Sequence, residues 1–140
     1  TVVPAAASAA SVGVVVGFSV DPTNPMLRHR AANTNRIAYV VTDPSVVYEI
    51  QEDALGTPIA AASIGLAFTY VIGSGNTATG QSASVLDSSE LSNTATFPLK
   101  LLGLSKRVGN RLNVDGAGVD AGVFEVALNT GVMMPNIAGV

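Results

Sequence analysis

Seven or so short apolar runs, separated by turns rich in Gly, Ser, Thr and Asn, predict an all-β chain folded as a β-sandwich or jelly roll. Three stretches carry that class. In Arg36–Gln51, RIAYVVTDPSVVYEIQ, the residues Ile37, Tyr39 and Val41 fall on one side of an extended chain, and Val46, Tyr48 and Ile50 on one side of the next. Asp43-Pro44-Ser45 between them is a turn, because proline presets φ and the aspartate can accept from the backbone ahead, so the unit reads as a hairpin. Leu66–Ile72 alternates Leu66, Phe68, Tyr70 and Ile72 against Ala67, Thr69 and Val71, the clearest core strand. Ala95–Leu104 places Phe97, Leu99 and Leu101 on one face, and Pro98, which has no N–H to donate, sets that strand at a sheet edge or marks its start.

The remaining elements follow in chain order. Thr1–Ala10 is low in complexity and has little to pack, so residues 1–20 read as an N-terminal arm or edge strand. Val-rich Ser11–Val20 carries the strand signal, with Gly13 and Gly17 suited to close approach of another backbone. Asp21-Pro22-Thr23-Asn24-Pro25 breaks the chain before a basic segment holding Arg28, His29 and Arg30, with Arg36 just beyond. His29 has no Ser, Cys or Asp at a recognisable catalytic spacing, so it reads as a solvated loop histidine between two arginines, the alternative for the cluster being a polar contact with an acidic partner surface. Glu49, Glu52 and Asp53 lack the carboxylate density and glycine offset of a calcium loop and read as a solvated strand end. Ile59–Ile64 is a helical turn or a connector. Gly73–Gly80 contains no Lys before a Ser or Thr, so it is a turn between strands rather than a phosphate cradle. Ser82–Leu86 is a short strand, and Asp87-Ser88-Ser89-Glu90 has capping-box spacing, which predicts a helical turn running to Asn93. Lys106, Arg107 and Arg111 flank a turn at Val108-Gly109-Asn110. Leu112–Val114 is a strand fragment, Val123–Leu128 a last strand, and residues 129–140 an apolar tail.

Composition narrows the function classes. Charged residues make up only 12% of the chain, about half the share in an average soluble protein, while apolar residues make up 48%. A surface with so little charge exposes apolar area that neighbouring proteins cover. A net charge of −3 argues against a protein built to neutralise phosphates, so no direct nucleic-acid partner is expected. Cysteine is absent, which excludes disulfides, Cys-ligated zinc and thiol chemistry. Residues 1–20 are uncharged, yet Pro4, Gly13, Gly17 and the serines argue against a membrane span. No cofactor, metal site or catalytic signature is expected.

The order and spacing of four pieces suggest a family. These are Thr42-Asp43-Pro44 through Tyr48-Glu49-Ile50-Gln51, the Gly73–Gly80 loop, Val85-Leu86-Asp87-Ser88-Ser89, and Leu99-Lys100-Leu101-Leu102-Gly103-Leu104. Together, over about residues 37–128, the chain resembles the capsid cementing and decoration proteins of tailed bacteriophages, those of podoviruses in particular. The resemblance implies a jelly-roll-like β-sandwich over about 36–128; the length fits one domain over residues 1–140, and the extended apolar tails, 1–20 and 129–140, lie outside the resemblance. The resemblance also implies a homodimer on the outer surface of the virion that clamps major capsid subunits of the HK97-like type, with no enzymatic role. Candidate partner contacts are Val2, Val3, Val14 and Val16 in the arm, Arg28, Arg30 and Arg36 in the first basic cluster, Arg107 and Arg111 in the second, and Met133 and Met134 in the tail. The competing expectation is a carbohydrate- or receptor-binding β module of a phage tail or fibre. The absence of Trp and an aromatic share of 5% weaken it, because glycan stacking needs flat aromatic faces.

Overall fold

The computed structural model describes residues 6–53, 55, 58–92, 94–112 and 121–129. Seven strands follow one another: β1 (Val14–Phe18), β2 (Ala38–Val41), β3 (Val47–Gln51), β4 (Ala67–Val71), β5 (Val85–Ser92), β6 (Leu99–Leu104) and β7 (Val123–Leu128). One 3₁₀ turn, Ala61–Ser63, stands between β3 and β4, as the Ile59–Ile64 segment led one to expect. The chain is therefore all-β, and its strands form two antiparallel sheets. A five-stranded sheet has the order β3-β7-β6-β4-β5, and β1 and β2 form a separate two-stranded ribbon.

The core lies on one face of the five-stranded sheet, and alternation explains who occupies it. Phe124, Val126 and Leu128 of β7 are buried while Val123, Glu125 and Ala127 between them are half-buried. Leu99 pairs with Leu128 and Leu101 with Val126, so like residues stack across the ladder. A bulge at Leu102 inserts one extra residue into β6, which lets Leu104 rejoin the core side opposite Phe124. Phe68, Leu86 and Ile59 complete the cluster. Strand β6 is central, so Pro98 marks its start and not a sheet edge; Pro98 is itself buried and its carbonyl accepts from Asn129 N at 2.7 Å.

Strand β5 departs from the sequence expectation. Asp87–Glu90 is not helical: β5 runs through it to Ser92. Its pairing with β4 steps from Phe68–Leu91 to Tyr70–Leu86, so the Asp87–Glu90 stretch is accommodated as an irregularity within the strand. The polar side chains that favour a turn still act locally, with Asp87 Oδ1 accepting from Ser89 N at 3.0 Å. The bend carries β5 to the far edge of the same sheet. Leu86 bridges Glu52 in parallel, Asp53 N donates to Leu86 O at 2.9 Å, and Ser88 N and Oγ donate to Asp53 Oδ1 at 3.3 and 2.7 Å. The chain just past edge strand β3 thus meets edge strand β5 at one bridge, which curls the two ends of the sheet toward each other.

Glu52 and Asp53 are therefore not a solvated strand end. Glu52 is 2% exposed. Its Oε1 accepts from Gly122 N at 3.1 Å and its Oε2 from Ile59 N at 3.3 Å, while its own N–H donates to Gly122 O at 2.9 Å. One carboxylate thereby satisfies buried donors of two otherwise distant segments. Replacing Glu52 by Ala leaves both N–H groups without an acceptor, and urea unfolding should show a loss of about 2–4 kcal/mol, with Glu52→Gln less affected because it retains one acceptor oxygen. A loss below about 0.5 kcal/mol for the alanine variant, the range of an ordinary surface substitution, would contradict this role for the carboxylate.

Candidate interaction surface

The expected hairpin at residues 36–51 is two strands in two different sheets. The turn itself is present, with Ser45 N donating to Asp43 Oδ1 at 2.8 Å and Val46 N to Asp43 O at 3.3 Å. It joins β2, which pairs with β1, to β3, which pairs with β7. Tyr48 and Ile50 pack against the core as expected from their period. Ile37 and Tyr39 do not: they are 69% and 55% exposed. A period-two run fixes which residues share a face, but not whether a second layer covers it.

The β1–β2 ribbon is apolar and only partly covered: Val15, Val16 and Tyr39 are exposed and its other residues half-buried. Val14 pairs with Val41, Val15 with Val40, Gly17 with Tyr39 and Phe18 with Ala38, and the extra residue Val16 forms a bulge, 64% exposed. Of the ribbon's residues, Val14 is the one packed against the core. Gly13 is required by close approach, since a Cβ there would stand 2.1 Å from Val41 O. Val20 and Ile37 line a shallow hollow with Ser19, Pro22, Asn35 and Arg36.

The segment joining β1 to β2 is organised by Arg36. Its guanidinium donates to Ser19 O at 2.8 Å from Nε, and from Nη1 to His29 O at 2.5 Å and Leu27 O at 3.3 Å. It also stands 5.6 Å from the centroid of the Phe18 ring, within cation–π range. Asp21 fixes the opposite end: its Oδ1 accepts from Thr23 Oγ1, Thr23 N and Asn24 N at 2.7, 2.8 and 3.2 Å. Those bonds, the Thr23 hydroxyl first, hold the Asp21 carboxyl below its usual pKa. His29 is half-buried, with Nδ1 enclosed and without a hydrogen-bond partner, so it is not the solvated residue its sequence context suggests. Arg28 and Arg30 point outward, Arg30 donating to Thr34 O at 2.9 Å. The segment leans on the Gly73–Gly80 loop, where Gly80 has φ +74° and a Cβ would meet Arg28 Cβ at 2.7 Å.

The second basic cluster lies on the body of the protein. Arg107 forms an ion pair with Glu49, donating from Nε to Oε2 at 2.9 Å, and Ser105 Oγ donates to the other carboxylate oxygen. These contacts, Arg107 first, hold the Glu49 carboxyl below its ordinary pKa. The turn after Arg107 is built by Asn110, whose Nδ2 donates to Ser105 O and Val123 O at 2.7 Å each while Oδ1 accepts from Val123 N at 2.9 Å. Arg111 is exposed beside it.

Of the candidate contacts, Val16 on the ribbon and Arg28 and Arg30 on its connecting segment are exposed, and Arg36 ties the segment at Leu27 and His29 to Ser19 at the ribbon's end. Val14 faces the core, Arg36 is turned inward as a structural tie, and Arg107 is held by Glu49 some distance along the chain. Val2, Val3, Met133 and Met134 lie outside the described residues, as do most of Leu112–Val114 and the apolar tail. Sequence reasoning missed Val20, Ile37 and Tyr39, whose exposure depends on the ribbon standing apart from the sheet. Among the described residues no three His, Asp or Glu side chains are grouped to hold a metal ion, and no helix is long and apolar enough to cross a membrane. No family model, curated protein or solved structure matches the chain.

Two outcomes follow from these contacts. Arg36→Ala should speed hydrogen exchange of β1 and β2 amides about tenfold or more while leaving β6 and β7 unchanged, and Arg36→Lys should not rescue it, because an ammonium cannot span three carbonyls in a plane. Glu49 has a folded pKa below its unfolded value, so its contribution is present above the unfolded carboxylate pKa and is lost as pH falls through the folded one. The stability difference between wild type and Glu49→Gln should accordingly vanish in acid, and a difference that persists there would show that the ion pair is not its source.

Proposed function

We propose that the chain is a structural virion protein: a capsid cementing or decoration protein that binds the outside of an icosahedral phage shell as a homodimer and clamps neighbouring major capsid subunits. The observation that carries this reading is the combination of a 12% charge content with an apolar ribbon whose Val16, Ile37 and Tyr39 are uncovered in the single chain. A protein whose work is to be covered by neighbours favours such a surface. The five-stranded antiparallel sheet supplies a packed β body, and the ribbon an accessory that gains by contact, since a two-stranded ribbon is marginal by itself in water. The reading requires no cofactor, nucleic-acid contact, membrane insertion or catalytic group.

A cement acts through area and valency. Many copies, each modestly bound, oppose the internal pressure of packaged DNA through the avidity of repeated contacts. Purified protein should co-sediment with empty shells of its phage and raise the temperature at which filled particles release DNA. Virions lacking the protein that match wild-type virions in heat resistance would refute the assignment.

A further inference from the structure

We infer that the β1–β2 ribbon, together with Arg28 and Arg30, is the surface that docks onto an acidic protein face with an apolar centre, which on the reading above is a face of the major capsid subunit. Two independent features lead there. The first is cover. Neither β1 nor β2 pairs with a further strand among the described residues, so each has an outer edge that another protein's backbone can meet. Val16, Ile37 and Tyr39 would gain burial from the same contact.

The second feature is charge. Residues 1–41 hold three arginines and one aspartate, whereas residues 42–140 hold nine carboxylates and four cations. An acidic protein thus carries a basic N-terminal third. Within that third, Arg36 is taken up by backbone carbonyls and Asp21 by Thr23 and Asn24. Among the described residues Arg28 makes no hydrogen bond or ion pair, and Arg30 donates to the carbonyl of Thr34 alone. The net positive character of the segment therefore rests on two exposed guanidinium groups beside an apolar ribbon.

That pairing selects the occupant. A ribbon-to-ribbon contact between two copies would set Arg28 and Arg30 near their own counterparts, and like charge opposes such an interface. Nucleic acid or an anionic membrane would meet two cations backed by an acidic body. An acidic protein face with apolar groups at its centre satisfies both the ribbon and the arginines.

The test uses the full-length protein and empty shells assembled from the major capsid subunit, with sedimentation velocity of the protein alone run in parallel. Wild type should bind with an affinity that falls as salt rises. Arg28→Glu/Arg30→Glu should weaken binding about tenfold or more and flatten the salt dependence, whereas Lys106→Glu on the body should change it less than about twofold. Val16→Asp, at an exposed bulge, should weaken binding while leaving the circular dichroism spectrum and the sedimentation coefficient unchanged. Undiminished shell binding by the arginine double variant and by Val16→Asp would overturn the ribbon as the docking surface while leaving the cement reading intact. Loss of self-association in those variants with shell binding preserved would assign the ribbon to a second copy and overturn the inference. Failure of wild type to bind shells at all would remove the cement reading and the inference with it.

Discussion

The fold depends on a buried carboxylate. Glu52 directly follows β3 at the point where the chain bridges to β5, and its two oxygens are shared between Ile59, which enters the core, and Gly122, which leads into β7. An uncompensated buried carboxylate is costly, so Glu52 is tolerated only because both backbone donors reach it. That requirement fixes three chain segments relative to one another more tightly than apolar packing alone would, since packing is non-directional and hydrogen bonds are not. Asp53, one residue on, extends the same junction to Ser88 and so to β5. The neighbouring Leu86, Ile59 and Phe124 are fully buried around this polar knot.

The ribbon is governed by different physics. It has few core contacts, and its order comes from a cross-strand ladder, from close backbone approach at Gly13 and from the Arg36 tie. Segments of that kind open at lower free energy than core strands. The same property suits a docking element, because ordering that costs free energy in the single chain is offset when a partner covers the apolar side chains. Rigid body and adaptable ribbon thus divide the two tasks that the proposed function requires, holding shape and making contact.

Much of the fold is legible in the residues. The alternation of Phe124, Val126 and Leu128, the turn chemistry of Asp43-Pro44-Ser45 and the interruption at Pro98 each point to the local structure that forms there. The misreadings share a cause. Asp87–Glu90 has the composition of a helix start, and its side chains do bond locally, but the ladder to β4 and the junction with Asp53 keep it extended. Residues 36–51 have the pattern of a hairpin, yet β2 and β3 take partners distant in sequence, β1 and β7. Glu52 is acidic and adjacent to another acid, which from the sequence alone means solvent. Its burial depends on Gly122, seventy residues away. Of the candidate site, the arginines and Val16 are accessible to pattern reasoning, whereas the period places Ile37 and Tyr39 on one side of a strand and carries no information about whether a second layer covers that side.

By itself, then, the sequence determined the class of the chain and its surface economy: period-two apolar runs make strands, and a chain with 12% charge leaves apolar area uncovered. The tertiary structure decided which strands pair, that the two ends of the sheet meet at Glu52, and that β1 and β2 stand apart with Arg28 and Arg30 exposed beside them. The reason is one of range. Alternation, turn formation and strand propensity act over a few residues, whereas pairing partners and the satisfaction of a buried carboxylate are set by contacts between segments far apart in the chain.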